Sequence, residues 1–526
     1  MKSIDINELS VEQKIGMLLV VRDISDPEDR KFVFDMIKKR AVGGIQVRPI
    51  SPTAKEDVAE IRATADYPIL ICADMEQGFP TSEYMIPSVM ALAVTGDEEL
   101  AYQFGCVTAI EAKRHGYNTV WGPCVDLVAG NALCKVPRTF GDDPEFAGKM
   151  ASAIMRGYND NGMVSTAKHW PSGLDILDDQ HMFATSSQHT EEELKGAVFG
   201  PYRYAMEQGQ LCGIMTNHSF FTNVDETYPG TLSKKLISIV RDAGFDGIIM
   251  TDSFAMMGIL QKFGEDKCYG IAVNAGNDMI LPNYRASFKK SYEYLLQAYR
   301  EGVFTEQRLN EAVNRVIKAQ NSTLKQATAP EISDYQKECI QRIAKDSICA
   351  VTDADVPVVL NPDSKKMFVV LIENPYSTDE GESIEISDTT VFNTNQFAPL
   401  KQEILSRYPT AKVIPVNQYP SAAQVEDVCA TAAEVDEVIF MTYVSTRSYR
   451  ASESLTDHII NVIRSMPDKV STVIHIGNPY AMEAIPHVPR IIFGIGGIDQ
   501  SQRNALDVLT GVSEAKGKLP IKVNLK

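Results

Sequence analysis

The sequence predicts an α/β protein in which an N-terminal (β/α)8 barrel of the TIM type is followed by a smaller α/β sandwich domain. At 526 residues the chain is longer than a single hydrophobic core usually allows. Over residues 1–330, short apolar runs alternate with helical patterns, which indicates parallel βαβ units. Eight such units in roughly 300 residues match the strand count and the size of this barrel.

The eight predicted barrel strands are short and mostly apolar, as expected for strands that are buried on both faces of a parallel sheet. Segments with helical periodicity separate them, for example 97–115, 143–162 and 191–208. The predicted strands are 15–21, 43–47, 68–74, 119–123, 165–170, 212–217, 247–252 and 278–282.

The chain becomes polar after the last of these units. Residues 326–335 contain Pro330 and few apolar side chains, so we predict a linker there. It would join a barrel domain at 1–325, expected to be catalytic, to a C-terminal α/β sandwich domain at 336–526. Further apolar runs in that second domain predict an open, mainly parallel sheet, and they are 367–372, 412–415, 437–442, 472–476 and 491–493.

Composition excludes several classes of partner. The formal net charge of −18 disfavours nucleic acid, because phosphate backbones bind concentrated Lys and Arg surfaces. No stretch approaches the roughly 18 apolar residues of a membrane helix. The N-terminal 21 residues lack the features of a signal peptide, and the nine cysteines occur singly without CxxC pairs. We therefore expect a cytoplasmic protein that binds neither nucleic acid nor membrane.

Several predicted strands end on charged side chains. Asp74 closes the third strand, Lys168 and His169 lie in the fifth, and Asp252 closes the seventh. Any one of them could cap the helix that follows. In a barrel, however, the C-terminal ends of all strands meet at one rim, which is where the active sites of this fold lie. Their convergence predicts a functional site at that rim.

Two elements at this rim suit acid–base and nucleophilic chemistry. A carboxylate at the rigid end of a strand, as Asp252 is, stays ionised when loop backbone donates to it, and it can act as a nucleophile. In the loop after the fifth strand, Asp179 and His181 are two residues apart, so the carboxylate can orient the imidazole. Histidine can then donate a proton to a leaving group and accept one from water. Because no metal-ligand spacing such as HExxH occurs, we do not predict a metal enzyme.

Together these motifs resemble glycoside hydrolase family 3, and in particular its β-N-acetylhexosaminidase branch. The segment 168–181 matches a signature of the form K-H-F-P-G, a loop and then D-x-H, in length and at most anchor positions. Other similar segments follow the same order along nearly the whole chain: 74–78 (DMEQG), 122–126 (GPCVD), 138–144 (RTFGDDP), 251–252 (TD), 275–279 (AGNDM), 477–480 (GNPY) and 517–520 (GKLP).

The resemblance implies a retaining glycoside hydrolase that cleaves terminal β-linked sugars of the N-acetylhexosaminide type, such as GlcNAc, without metal or cofactor. Its partner would be a small-molecule glycoside. Asp252 would be the nucleophile, His181 the general acid/base and Asp179 the partner of that histidine. The sugar hydroxyls would be bound by Asp74, Arg138, Lys168 and His169.

The sequence departs from the pattern of this branch at one place. The branch carries Gly-Gly-Arg after its Asp-x-Glu segment and a second Arg three residues on, whereas Phe79 and Ser82 stand here. The change concerns the recognition of sugar and aglycone more than the catalytic trio, by which we mean Asp252, His181 and Asp179. Three alternatives stay open: a β-glycoside phosphorylase, since an imidazole repels phosphate less than a carboxylate does, a β-glucosidase of the same family, and a non-catalytic sugar-binding protein on this scaffold. The oligomeric state is not predicted.

Overall fold

The chain folds into two compact units in a computed structural model. The barrel unit comprises Met1–Met85, Glu98–Ala132 and Asp142–Ile340, and the sheet unit comprises Ile86–Asp97, Leu133–Gly141 and Gln341–Lys526. The residues that the structure describes are 2–22, 24–128, 136–176, 178–260, 262–325, 329–372, 397–444, 455–496 and 498–526.

Eight parallel strands form the barrel, and they pair in the order in which they occur along the chain. The sheet closes because Leu19, just before the first strand, forms a parallel bridge with Ile280 of the last strand. The predicted (β/α)8 barrel is therefore confirmed. The strands are β1 (Val20–Val21), β2 (Gly44–Gln46), β3 (Leu70–Asp74), β4 (Thr119–Cys124), β5 (Val164–Trp170), β6 (Gly213–Thr216), β7 (Ile248–Ser253) and β8 (Met279–Leu281).

Side chains cap several of the helices between the strands. Asp26 accepts from the amides of Glu28 and Asp29, and Asp143 accepts in the same way at its own helix, and in both cases a proline opens the first turn. The main helices are Val11–Met17, Pro27–Lys38, Ala54–Thr64, Glu98–Arg114, Pro144–Asp160, Gly200–Glu207, Lys234–Asp242, Met257–Leu260, Glu265–Ala275, Phe288–Arg300, Glu306–Ser322 and Asp334–Asp346.

The first predicted strand, 15–21, is wrong over its first half, because Val11–Met17 is a helix. Ser10 and Gln13 form a capping box in which each side chain accepts from the backbone amide of the other, so two otherwise unpaired donors are satisfied. Ile15 and Met17 are fully buried. A buried helix turn and a buried strand are equally apolar in sequence, and the capping box decides between them.

The sheet unit contains a six-stranded sheet. Its strands are β9 (Cys349–Thr352), β10 (Lys366–Leu371), β11 (Lys412–Val416), β12 (Glu437–Val444), β13 (Val470–Gly477) and β14 (Arg490–Gly494), in the order β9-β14-β13-β12-β10-β11. Five are parallel, as predicted, while β9 was not predicted and pairs antiparallel with β14 at the edge. The smaller α/β domain is thus confirmed. Its helices are Val89–Thr95, Phe397–Arg407, Ala422–Ala432, Asp457–Arg464 and Ile498–Leu509.

The predicted domain boundaries, with a catalytic barrel that ends at residue 325 and a second domain that begins at residue 336, stay a prediction. Of the predicted linker 326–335, residues 326–328 lie outside the described residues. The helix Asp334–Asp346 runs through the point at which the chain passes from the barrel unit to the sheet unit. Within the described ranges, no helix is both long and apolar enough to cross a bilayer.

A buried ion cluster joins two helices to the barrel sheet. Asp278, just before β8, is fully buried and accepts from Arg241 at 2.5 Å and from Arg308 at 2.6 Å. A third guanidinium, that of Arg315, lies 3.3 Å from the same carboxylate, and the amide of Ile249 in β7 donates to it as well. Buried carboxylates need such compensation, because their desolvation costs several kcal/mol.

We expect Asp278→Ala to destabilise the barrel unit by about 3–5 kcal/mol, because it leaves three guanidinium groups without their buried counter-charge. Urea unfolding followed by tryptophan fluorescence measures this, since both tryptophans, Trp121 and Trp170, lie in barrel strands. Asp246→Ala is the matched control. Asp246 also pairs with Arg315 but is 68% exposed, so its loss should cost below about 1 kcal/mol. Equal losses in the two variants would contradict the role of Asp278.

Candidate active site

The predicted site residues of the barrel unit gather at the C-terminal rim of its sheet. Asp74 ends β3, Lys168 and His169 lie near the end of β5, and Asp252 lies near the end of β7. Asp179 and His181 follow β5 in a loop. Arg138, the remaining predicted sugar ligand, ends the short helical turn Val136–Arg138, which belongs to the sheet unit. Its role stays a prediction from the family resemblance.

A lysine lies between two carboxylates at the rim. The Nζ atom of Lys168 is 2.7 Å from Asp74 Oδ1 and 2.7 Å from Glu76 Oε1. The lysine side chain is only 3% exposed, whereas that of Asp74 is 58% exposed. The two acids therefore compensate a buried ammonium group, and Asp74 presents its carboxylate to solvent. Glu76 was not among the predicted site residues, although it is the acidic third residue of the DMEQG segment.

His169 is fixed between two aspartates. The buried carboxylate of Asp126 accepts from the backbone amide of His169 at 2.7 Å and lies 2.9 Å from its Nδ1. Because a carboxylate only accepts, Nδ1 carries the proton, and Nε2 faces Asp252 Oδ2 at 3.8 Å. Asp126 was not assigned a role from sequence. The sequence feature that could have identified Asp126 as a site residue was its position just after β4, in the GPCVD segment.

These residues also form a group with the spacing of metal ligands. Cys124, Asp126 and His169 each offer one ligand atom, and the three atoms lie within 4.8 Å of one another, which the described residues show nowhere else. Both oxygens of Asp126 already contact nitrogens of His169. A cation there would have to displace the contacts that orient this ring, so we interpret the group as a positioning network.

The charge of Asp252 is set by burial and by its neighbours. Burial alone would raise the pKa of this carboxyl, but the imidazoles of His169, His218 and His181 and the amide of Ser253 together hold the pKa below its usual value. The Ser253 amide donates to Oδ1 at 2.6 Å. Asp252 is therefore a carboxylate at neutral pH.

His218 supports the backbone beside Asp252. It is fully buried, its Nε2 donates to the carbonyl of Ser253 at 2.9 Å, and its Nδ1 lies 2.8 Å from Thr231 Oγ1. Burial lowers the pKa of His218, so the ring is neutral near pH 7. This histidine was not predicted as a site residue, and the sequence signal was its place directly after β6 and Asn217.

The structure brings Asp179 and His181 together. Asp179 Oδ1 lies 2.6 Å from Nδ1 of His181 and also accepts from the backbone amide of His181 at 2.9 Å. Asp179 is buried, whereas the imidazole is partly exposed. The pairing directs Nε2 of His181 away from the aspartate and fixes the orientation of the ring.

The loop that carries His181 rests on the segment after β7. The amide of Met257 donates to the carbonyl of His181 at 3.2 Å. A Cβ atom at Gly258 would lie 2.8 Å from the Phe183 carbonyl oxygen and 3.0 Å from that of Gln180, so only glycine fits this contact. The loop is thereby held against the strand that carries Asp252.

Phe79, which stands where the related branch has a cation, is part of the core. It is 2% exposed, and its ring stacks on His115 at a centroid distance of 4.4 Å and meets Tyr117 edge-on at 5.5 Å. The aromatic side chain points into the barrel unit and presents no polar group to a ligand. The side chain at position 79 therefore supplies no cation to this rim.

Comparisons with known proteins bear on the family and the fold of the chain. Residues 10–319 match the family described as "Glycosyl hydrolase family 3 N terminal domain". The chain is 25% identical over 553 residues to a β-N-acetylglucosaminidase/β-glucosidase of Cellulomonas fimi, covering 98% of this chain and 94% of that protein. It is 31% identical over 231 residues to a β-hexosaminidase of Tolumonas auensis, covering 43% of this chain and 69% of that protein.

Two solved structures share the fold. A family 3 β-N-acetylglucosaminidase from Paenibacillus sp. superposes with a TM-score of 0.81 at 23% identity, covering 98% of this chain and all of that one. The β-glucoside phosphorylase BglX has the same TM-score of 0.81 and 23% identity, covering 98% of this chain and 94% of its own. At this identity the likeness concerns the fold alone.

The barrel, its rim and these matches define the chain as a glycoside hydrolase. It belongs to glycoside hydrolase family 3, because the family match covers more than half of its length. Relatives named β-hexosaminidase and β-N-acetylglucosaminidase confirm the resemblance seen in the sequence.

The lowered pKa of Asp252 can be measured directly. We expect its carboxyl to titrate below the usual value of about 3.9. In His169→Asn the pKa should rise, because the charge of His169 is lost while burial remains. Carbon-13 NMR of aspartate-labelled protein reports the titration, and Asp252→Asn identifies the resonance. His189→Asn is the control, since His189 pairs with Asp175 and Glu193 instead. A wild-type pKa above the usual value would contradict this account.

Proposed function

We propose that the chain is a retaining glycoside hydrolase that releases terminal β-linked N-acetylhexosamines, with Asp252 as nucleophile and His181 as general acid/base. One observation carries the proposal: the carboxylate kept ionised at the end of β7 shares its rim with an imidazole that a buried aspartate orients. Family 3 membership supplies the reaction class, and the relatives' names supply the sugar.

In the first half-reaction, an Asp252 oxygen attacks the anomeric carbon while the bond to the aglycone oxygen breaks. His181 gives that oxygen the proton on Nε2. Asp179 accepts the hydrogen bond from Nδ1, so it orients the ring and stabilises its cationic form. The products are the free aglycone and a glycosyl ester of Asp252.

In the second half-reaction, His181 takes a proton from water, which attacks the anomeric carbon and releases Asp252. The sugar would be held by Asp74, whose exposed carboxylate accepts from hydroxyls, by Lys168 and by Nε2 of His169. Glu76 already fixes Lys168 and Asp126 already fixes His169, so little reorganisation of these two groups accompanies binding. Two inversions at the anomeric carbon give net retention.

The preferred sugar can be identified with a panel of nitrophenyl β-glycosides. The Cellulomonas fimi relative is named for both N-acetylglucosaminidase and glucosidase activity, which makes the β-glucoside the nearest alternative substrate. We expect the highest kcat/KM for the N-acetyl-β-glucosaminide. A higher value for the β-glucoside would correct the sugar and leave the catalytic trio unchanged.

A β-glycoside phosphorylase is the second candidate. An imidazole in place of a carboxylate acid/base repels an incoming phosphate less, and a phosphorylase shares the fold. Phosphate would then replace water in the second half-reaction and yield a glycosyl phosphate. Product analysis with and without inorganic phosphate separates the two reactions, because a hydrolase gives free sugar in both.

Asp252→Ala should lower kcat/KM by about 10⁴-fold or more, because the covalent step has no nucleophile. The assay is hydrolysis of the best nitrophenyl glycoside, with circular dichroism to verify folding. Asp178→Ala is the matched control, since Asp178 is an exposed carboxylate on the loop of His181 and should be near wild type. A folded Asp252→Ala protein with near-normal activity would remove the nucleophile assignment. A wild type that binds sugar without turnover would favour the sugar-binding alternative.

His181→Ala should harm poor leaving groups far more than good ones. A nitrophenolate leaves without a proton, whereas an alkoxide does not, so only the latter depends on the acid. We expect the substitution to lower the ratio of kcat/KM for an alkyl glycoside to kcat/KM for the nitrophenyl glycoside by about 10²-fold or more. This ratio reports the glycosylation step. Equal losses for both leaving groups would indicate that His181 acts only as a structural residue.

A further inference from the structure

Two large apolar side chains are exposed next to the His181 loop. Phe183, two residues after His181, is 50% exposed, and Met257, at the start of the helix after β7, is 38% exposed. The residues on either side of Met257 are buried, as is Ile259. Met257 is therefore exposed within a segment whose neighbouring residues are buried. We call Phe183 and Met257 the apolar wall.

The apolar wall is tied to His181 through the backbone. The Met257 amide donates to the His181 carbonyl at 3.2 Å. The next residue, Gly258, packs so closely that a Cβ atom would lie 2.8 Å from the Phe183 carbonyl oxygen. Both members of the wall therefore belong to backbone segments that contact each other next to the His181 carbonyl.

The position of the general acid determines where an aglycone lies. The nucleophile approaches the anomeric carbon from the face opposite the leaving oxygen, and the acid must be within hydrogen-bond reach of that oxygen. The aglycone is therefore on the His181 side of the sugar. On that side, the two contacting segments expose the apolar side chains of Phe183 and Met257.

We propose that the apolar wall is the aglycone-binding surface and that it selects an aglycone with a flat apolar face, such as an aryl group. A phenyl ring and a thioether offer dispersion and ring-stacking contacts but no hydrogen bond. The wall thus gives binding energy to an aromatic leaving group and none to a small polar alcohol. The inference rests on the proposed function through the role of His181.

The first test compares two β-glycosides of the preferred sugar whose leaving groups have similar acidity, one phenyl and one hexafluoroisopropyl. Phe183→Ala and Met257→Ala should each lower kcat/KM for the phenyl glycoside about ten-fold, the effect of losing an apolar pocket contact. The fluoroalkyl glycoside should change less than about two-fold by the same principle. Tyr335→Ala and Leu324→Ala are matched controls, because these side chains are 52% and 37% exposed elsewhere in the barrel unit.

The second test uses the reverse reaction, in which an acceptor alcohol binds to the same surface and attacks the glycosyl ester. When the glycosyl ester of Asp252 reacts with an acceptor alcohol, its C–O bond breaks, a new bond to the alcohol oxygen forms, and the alcohol proton passes to His181. In the double variant, the ratio of benzyl glycoside to free sugar formed in benzyl alcohol should fall about ten-fold or more. The ratio of methyl glycoside to free sugar in methanol should not change.

The outcomes separate the two proposals. An active wild type whose wall variants lose phenyl and fluoroalkyl activity equally, or lose neither, overturns the aglycone surface and leaves the catalytic assignment intact. A wild type that turns over neither glycoside overturns both. Selective loss on the phenyl glycoside together with selective loss of benzyl transfer establishes the wall as the aglycone site.

Discussion

Closure of the parallel sheet is the constraint on which the rest of the barrel unit depends. Once Ile280 of β8 pairs with Leu19 beside β1, every strand end is held at one rim. Residues far apart in sequence then become neighbours. Lys168 at the end of β5 reaches Asp74 at the end of β3, 94 positions earlier in the chain. The strand ends thus supply Asp74, Lys168, His169 and Asp252, and the loops that follow the strands supply Glu76, Asp126, Asp179, His181 and His218.

A second regularity is that three basic side chains at the rim are each held by an acid. Glu76 pairs with Lys168, Asp126 with His169 and Asp179 with His181. These contacts fix the orientation of the groups before a ligand arrives, which is how an active site avoids reorganisation during reaction. They also explain why the polar rim is stable in spite of its burial, since each desolvated charge has a partner.

The sequence predicted the location of the site where the position of a side chain at the end of a strand was itself the evidence. The polar ends of β3, β5 and β7 predicted the rim, because apolar runs that stop on Asp, Lys or His are uncommon in buried strands. Glu76, Asp126 and His218 were missed as site residues because they act through a neighbour in space, and spacing alone does not reveal that neighbour. The edge strand β9 was missed because four residues of mixed burial carry too short a pattern.

The way in which the chain alternates between the two units limits how this protein can be divided. Ile86–Asp97 and Leu133–Gly141 interrupt the barrel sequence, yet their contacts lie in the sheet unit. The helix Val89–Thr95 is almost wholly apolar, and its side chains are buried. A gene fragment that ended at Ile340 would keep this helix but lose Ile495, whose carbonyl accepts from Ser88 at the helix N-cap, and Lys518, whose amide donates to Val94. A barrel cut free at Ile340 would therefore carry an apolar helix without the segments that bind its two ends, unlike a module joined to its neighbour by one linker.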